Sequence, residues 1–172
     1  MNLIQPWRRM VSVDRIDLDA LRDAGIRCIL LDRDNTCVPR DTNVLPESVA
    51  AWFQEAKDKG FALCMVSNNF HSSQVAASAV EVGCAKVDHA MKPAPFALWK
   101  AMDLMGVAPE QTVLVGDQLF TDCLGANLAG IRAIVVKPQS REDLWYTQIF
   151  RIFEDKLAPD AHFSQDWVTL DE

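Results

Sequence analysis

The sequence predicts an α/β domain in which a parallel sheet is covered by helices on both faces. Short apolar runs alternate along the chain with helical patterns of about 10–15 residues, which is typical of strands joined by helical crossovers. The runs are continuously apolar, as in strands buried on both faces. The chain has 172 residues, a length that suits one domain. We therefore predict a single three-layer, Rossmann-like domain over residues 1–172.

Local signals place the individual elements. Asp17 can cap a first helix that Gly25 ends, and Pro46 and Gly60 bracket a second helix in a similar way. Helices are predicted at 17–25, 46–60, 72–83, 94–106, 121–130 and 141–157. Apolar runs predict strands at 27–32, 61–67, 85–90, 112–117 and 131–136. Residues 1–26 are expected to pack on this core as a segment and a helix, and residues 158–172 to form an irregular tail.

Composition narrows the class of protein. Seventeen basic and twenty-four acidic residues give a net charge of −7, which argues against nucleic acid as a partner. Five cysteines without metal-binding spacing predict reduced thiols. No apolar stretch approaches the roughly 20 residues that span a bilayer, and the first ten residues lack the apolar region of a secretory signal. We expect a cytoplasmic protein.

Polar residues stand at the ends of three predicted strands. Asp32, Ser67 and Asp117 each follow an apolar run. In open parallel sheets ligands bind beyond the carboxyl ends of the strands. We therefore expect these three residues, which are distant in the chain, to meet at one edge of the sheet.

The segment "DRDNT" (32–36) places two carboxylates directly after a buried strand. The carboxylate of Asp32 could attack phosphorus and form an aspartyl-phosphate. Asp34 could then protonate the leaving alcohol and later deprotonate water. The alternative is a strand-exit turn, in which Asp and Asn are common for local hydrogen bonding. Two carboxylates at this position favour the catalytic interpretation.

Phosphate-binding groups are predicted in "MVSNN" and "HAMKPAPF". The hydroxyl of Ser67 and the backbone N–H groups around Asn68 could bind a phosphoryl oxygen near the start of the next helix. The alternative for Ser67 is a helix cap. The ammonium of Lys92 could neutralise a transferring phosphoryl group, although a lysine before a helix is otherwise a surface residue.

The segment "VGDQLFTD" adds Asp117 and Asp122, and the second could alternatively be a helix-start acid. Asp32, Asp34, Asp117 and Asp122 would then face a phosphate dianion with only Lys92 opposed. One pair of like charges at about 4 Å costs about 4 kcal/mol at an effective dielectric constant of about 20. A hard divalent cation resolves this repulsion, and oxygen ligands with a substrate phosphate suit Mg²⁺.

Four segments in this order resemble the haloacid-dehalogenase-like (HAD-like) superfamily: "DRDNT" (32–36), "SNN" (67–69), "KP" (92–93) and "GDQLFTD" (116–122). The finer pattern is similar to the IIIA-type phosphatases of the bacterial YqeG family, over roughly residues 11 to 155. The resemblance implies that Asp32 is the phosphorylated nucleophile and Asp34 the general acid/base, with Ser67 and Lys92 holding the phosphoryl group. It also implies a Mg²⁺ site made by the Asp32 carboxylate, the Asp34 backbone carbonyl and Asp117, with Asp122 acting through water.

Two residues depart from the family pattern, and the intervals between the motifs bear on the substrate. Arg33 stands where many relatives carry an apolar residue or lysine, and Cys37 where leucine is usual. Cap domains of this superfamily insert in the intervals 37–66 and 70–91, which here hold one crossover each. The resemblance therefore implies an open site without a large cap, suited to a phosphate carried on a large molecule.

The substrate stays open at the level of the sequence. The YqeG family is similar to a mitochondrial phosphatidylglycerophosphate phosphatase, which favours a lipid phosphomonoester. A soluble sugar or nucleotide monophosphate, or a non-catalytic phosphate-binding or switch domain, are the alternatives. Trp7, Arg8 and Arg9 could make a transient membrane-surface contact, but the charge of −7 favours packing of this segment on the domain. The sequence leaves the oligomeric state undetermined.

Overall fold

A computed structural model of the chain describes residues 3–69, 71–140 and 162–167. Within these residues a six-stranded sheet forms, and every pair of neighbouring strands is parallel. The strands are β1 (Arg8–Met10), β2 (Cys28–Leu31), β3 (Ala62–Val66), β4 (Ala85–Val87), β5 (Thr112–Gly116) and β6 (Arg132–Val136). Their order across the sheet is β1-β6-β5-β2-β3-β4. The predicted parallel α/β class is confirmed.

Five α-helices lie among the described residues: α1 (Leu18–Asp23), α2 (Glu47–Asp58), α3 (Ser72–Val82), α4 (Phe96–Met105) and α5 (Leu124–Ala129). The end signals act as predicted in α1, where the Asp17 carboxylate accepts hydrogen bonds from two backbone N–H groups of the first turn. Gly25 follows this helix with a φ of +84°. The helix predicted at 141–157 lies outside the described residues.

Apolar side chains cover both faces of the sheet. Leu31 of β2 belongs to one buried cluster, together with Phe53 of α2 and side chains of α1 and α3. Its neighbour Leu30 points to the opposite face and joins a second cluster with Leu98 of α4 and side chains of α5. Successive strand residues thus enter different layers, as the two-residue repeat of a strand requires. This alternation explains why the strands read as continuous apolar runs.

The N-terminal segment contributes a strand that the sequence analysis did not predict. Residues Arg8–Met10 pair with β6 at the edge of the sheet. The tail covers this edge, because Ser164 exchanges backbone hydrogen bonds with both neighbours of Met10. Trp7 packs edge-on against Trp167, with ring centroids 5.4 Å apart. This segment therefore packs on the domain, which is the alternative favoured from the sequence.

The connections at the carboxyl edge of the sheet carry no inserted domain among the described residues. Between residues 37 and 91, leaving aside residue 70, the described chain forms α2, β3, α3, β4 and their connections, and no separate cap domain. Among the described helices none is both long and apolar enough to cross a bilayer. The five cysteines are not paired in disulfides.

Candidate active site

The predicted polar residues meet at the carboxyl edge of three adjacent strands. Asp32 follows β2, which lies between β3 and β5. Ser67 follows β3 and Asp117 follows β5, and all three side chains are buried. A cavity of about 430 Å³ opens at this edge, and its lining includes Asp32, Asp34, Ser67 and Lys92. The sheet order thus gathers residues that are up to 85 positions apart in the chain, counting from Asp32 to Asp117.

Lys92 is the cation at the centre of this edge. Its Nζ lies 2.7 Å from Asp32 Oδ1 and 2.6 Å from Asp122 Oδ1. The lysine side chain is only 1% exposed, so both contacts are shielded from water. The surface alternative for Lys92 is therefore wrong, because a buried ammonium must be paired.

Asp122 reaches the site because the chain turns irregularly after β5. A π-helical turn, Leu119–Cys123, precedes α5 and carries the Asp122 carboxylate back toward the strand end. There its Oδ2 accepts a hydrogen bond from the backbone N–H of Gln118 at 3.1 Å. A Cβ on Gly116 would lie 2.2 Å from the Asp122 Cγ, so only glycine leaves room for this carboxylate. Asp122 is more than a helix-start acid.

Burial and neighbouring charges set the ionisation of the Asp32–Lys92 pair. Burial raises the pKa of Asp32 to about 7, while the ammonium of Lys92 opposes this rise and the carboxylate of Asp122 adds to it. Burial works to lower the pKa of Lys92, but Asp122 and Asp32 together raise it above its ordinary value. Lys92 therefore stays cationic, and Asp32 holds its proton more readily than an exposed aspartate.

Three buried carboxylates form a group that fits a divalent cation. One ligand atom from each of Asp32, Asp117 and Asp122 lies within 4.8 Å of the other two. Their three negative charges face the single positive charge of Lys92, so the group carries an uncompensated charge of about −2 when ionised. Oxygen ligands with excess negative charge are what Mg²⁺ requires. The side chain of Asp34 is not part of this group, and the predicted contribution of its backbone carbonyl stays a prediction.

Asp34 belongs to a separate network on the other side of the cavity. Its Oδ1 accepts a hydrogen bond from Arg33 Nη1 at 2.5 Å, and its Oδ2 accepts one from Asn69 Nδ2 at 2.9 Å. Arg40 Nη2 lies 3.6 Å from the same Oδ2. From the sequence, Lys92 was predicted as the only cation facing the carboxylates. This prediction was wrong, because two arginines also line the cavity.

The "SNN" segment contributes in a different way for each residue. The side chain of Asn68 bonds to the backbone of Lys92 twice, through Lys92 N at 2.7 Å and Lys92 O at 3.0 Å. These two hydrogen bonds occupy the Asn68 side chain and position Lys92. That the backbone N–H of Asn68 binds phosphate stays a prediction. Ser67 Oγ accepts a hydrogen bond from the backbone of Asn69, and its hydroxyl lines the cavity.

Sequence reasoning missed Arg40, Asn69 and Thr36, and it noted Arg33 only as a departure from the family pattern. Arg33, Arg40 and Asn69 contact Asp34, and Thr36 donates a hydrogen bond to Asp117 Oδ1 at 3.2 Å. Asn69 and Thr36 lie inside the motifs quoted above, so their position was a usable signal. The partners of Arg33 and Arg40 are set by the tertiary fold, and nothing in the local sequence indicates them.

The raised pKa of Asp32 predicts how Mg²⁺ affects stability. In the metal-free protein the folded state holds the Asp32 proton up to about pH 7, whereas the unfolded chain releases it near its ordinary value of 3.8. This group therefore stabilises the fold less as pH rises between these values. Because a cation competes with that proton, Mg²⁺ should raise the melting temperature more at about pH 8 than at about pH 5.5. Thermal unfolding measures this, and Asp117→Asn should lose the effect at both pH values.

Gly116 offers a second test of the carboxylate group. Gly116→Ala should displace Asp122 and so abolish most of the Mg²⁺-dependent rise in melting temperature. Gly25→Ala is a matched control, because its φ of +84° strains an alanine but nothing lies within 4 Å of the added carbon. This control should lower the melting temperature and keep the Mg²⁺ effect. An unchanged Mg²⁺ effect in Gly116→Ala would contradict the site.

Comparisons with known proteins agree with this geometry. A model of the haloacid dehalogenase-like hydrolases matches residues 7–130. The chain is 31% identical to the "Probable phosphatase YqeG" of Bacillus subtilis (strain 168), over 85% of this chain and 84% of that protein. It is also 31% identical to a phosphoserine phosphatase of Thermus thermophilus, over 60% of this chain and 47% of that protein.

Solved structures show the same fold. The cobalt-bound form of a deoxy-D-mannose-octulosonate 8-phosphate phosphatase from Haemophilus influenzae superposes with a TM-score of 0.55 at 15% identity. The match covers 79% of this chain and 89% of that one. The family resemblance inferred from the motifs is thus confirmed. The chain belongs to the haloacid dehalogenase-like hydrolases, with the YqeG protein among its relatives.

Proposed function

We propose that this protein is a Mg²⁺-dependent phosphomonoester hydrolase that works through a phosphoryl group on Asp32. One observation carries the proposal. Asp32 lies buried at the exit of β2, paired with Lys92 and grouped with Asp117 and Asp122, while Asp34 lines the same cavity. The family membership and the phosphatase names of the relatives support the same reaction class.

In the first half of the reaction, a carboxylate oxygen of Asp32 would attack phosphorus and the bond from phosphorus to the alcohol oxygen would break. Asp34 would give its proton to that oxygen, so the product leaves as a neutral alcohol. The Lys92 ammonium and the Ser67 hydroxyl would bind the phosphoryl oxygens. These are the roles predicted for the four residues from the sequence.

In the second half, water would attack the phosphorus of phospho-Asp32 while Asp34 takes a proton from it. This step would release inorganic phosphate and regenerate the Asp32 carboxylate. Asp32 and Asp117 would hold Mg²⁺ with the backbone carbonyl of Asp34, and Asp122 would act through water. The cation would supply the positive charge that allows a phosphate dianion to approach these carboxylates.

A lipid phosphomonoester, with phosphatidylglycerophosphate as the specific candidate, is the substrate class that we favour. No cap domain covers the cavity among the described residues between 37 and 91, so a bulky group could extend outward. Met91 and Phe96, each 67% exposed, flank in sequence the buried Lys92 that lines the cavity. Exposed apolar side chains this near in sequence to a phosphate-binding residue suit an amphiphilic ester. A soluble sugar or nucleotide monophosphate is the alternative.

Phosphate release with and without Mg²⁺ tests the activity and the substrate class together. The assay compares phosphatidylglycerophosphate in mixed micelles with a panel of soluble phosphomonoesters, with Asp32→Asn as the control. We expect Mg²⁺-dependent turnover of the lipid that the control lacks. Turnover of soluble esters alone would overturn the lipid assignment and keep the reaction. No release that depends on Asp32 would favour a phosphate-binding or switch domain.

Asp34→Asn tests the covalent intermediate. Without the base that activates water, phospho-Asp32 should accumulate after incubation with Mg²⁺ and p-nitrophenyl phosphate, whose phenolate leaves without a proton. Intact-protein mass spectrometry should show one added phosphoryl group, and peptide mapping should place it on Asp32. The double variant Asp32→Asn with Asp34→Asn should show none. An unmodified single variant would count against the mechanism.

A further inference from the structure

The structure contains a buried arginine between the two aspartates of the "DRDNT" segment. Arg33 is 3% exposed, and each of its three nitrogens donates a hydrogen bond. Nε donates to Ser78 Oγ at 2.9 Å, Nη1 to Asp34 Oδ1 at 2.5 Å, and Nη2 to Asn43 Oδ1 at 2.5 Å. Burying a guanidinium is unfavourable unless it is paired and hydrogen-bonded. The three partners of Arg33 meet this requirement.

The partners of Arg33 come from separate parts of the fold. Ser78 lies in α3, and Asn43 lies in the connection before α2 with a φ of +52°. These two neutral groups fix the guanidinium plane without using its charge. The remaining donor is then directed at Asp34. Since a guanidinium is planar and rigid, fixing two of its nitrogens also fixes the direction of the third.

Asp34 is consequently held from both sides. Arg33 occupies one carboxylate oxygen, and the side-chain amide of Asn69 occupies the other. One donor on each oxygen, with Arg40 Nη2 a further 3.6 Å from Oδ2, restrains rotation of the carboxyl group, and Asp34 still lines the cavity. Proton transfer requires a donor within hydrogen-bond distance and in line with the leaving oxygen. Orientation of this carboxyl is therefore the property that Arg33 controls.

We propose that Arg33 is a positioning residue, which aligns Asp34 for proton transfer to the leaving alcohol. The inference rests on the proposed phosphatase reaction. Two other roles compete with it: Arg33 could bind substrate phosphate, or it could only join α3 to the loop at Asn43. The three roles differ in what the loss of Arg33 does to the reaction.

The leaving group separates these roles. When an alkyl ester is cleaved, the electron pair of the breaking bond stays on the alcohol oxygen, which then needs a proton from Asp34. When p-nitrophenyl phosphate is cleaved, the phenolate leaves as a stable anion and needs none. The ratio kcat/KM reports the steps up to the release of this group. Misalignment of Asp34 should therefore reduce kcat/KM for alkyl esters and affect the aryl ester little.

The experiment compares Arg33→Lys and Arg33→Met with the wild-type protein, each loaded with Mg²⁺. The substrates are p-nitrophenyl phosphate and the alkyl phosphate that the wild-type protein hydrolyses fastest. For Arg33→Met we expect a loss in kcat/KM of about tenfold or more on the alkyl ester and of less than about threefold on the aryl ester. Arg33→Lys keeps the charge without the planar fork and should show a smaller loss of the same kind. Arg15→Lys, on the exposed surface, should behave as wild type.

A double-mutant cycle checks that Arg33 acts through Asp34. In the Asp34→Asn background, Arg33→Lys should cause no further loss in the rate at which the alkyl ester phosphorylates Asp32, followed in a single turnover by mass spectrometry. Ser78→Ala removes one anchor of the guanidinium and should lose activity selectively on the same ester. This variant retains the buried charge pair, so it tests the inference even where Arg33→Met does not fold.

The outcomes separate this inference from the reaction on which it rests. Equal losses on both esters, or a further loss in the Asp34→Asn background, would overturn the positioning role and indicate a structural link. A rise in KM without dependence on the leaving group would overturn it in favour of substrate binding. A wild-type protein without Asp32-dependent hydrolysis would overturn the proposed function, and the inference with it.

Discussion

The buried ion pairs of Lys92 with Asp32 and Asp122 are the interaction on which the rest of the site depends. The Lys92 ammonium joins Asp32, at the end of one strand, to Asp122, which follows the neighbouring strand. Without this cation, adjacent carboxylates would be buried together unopposed, which is strongly unfavourable. Asn68 accepts a hydrogen bond from the Lys92 backbone N–H and donates one to its carbonyl oxygen, which fixes the backbone that carries the ammonium. Strand order, loop conformation and charge thus specify one arrangement together.

The "DRDNT" segment separates two carboxylates into different electrostatic environments. Asp32 faces Lys92 and the acidic group, whereas Asp34 faces Arg33 and Asn69. Two carboxylates two positions apart can therefore be buried together without sharing one environment. The two carboxylates therefore have different hydrogen-bond partners, as two groups with different roles in one reaction require. Arg33 contributes to this separation by pairing with Asp34.

Most of the fold follows from local signals, and the exceptions have physical reasons. Helix ends such as Asp17 and Gly25 and the apolar strands were predictable, because capping and burial act on neighbouring residues. Strand β1 was not, since "RRM" has no strand pattern and forms only by pairing with β6. Likewise the motif positions of Asp32 and Asp117 were readable in the sequence. The contact between Arg33 and Ser78 spans 45 positions and depends on the packing of α3.

The two ends of the cavity differ in charge. Asp32, Asp117 and Asp122 outnumber the single cation Lys92, so negative charge is in excess at the strand ends. Around Asp34 the balance is reversed, because Arg33 and Arg40 oppose one carboxylate. In the proposed reaction a divalent cation and the phosphoryl group would lie at the first end. In the proposed reaction the ester oxygen would then lie toward the second end, where Arg33 and Asn69 hold Asp34.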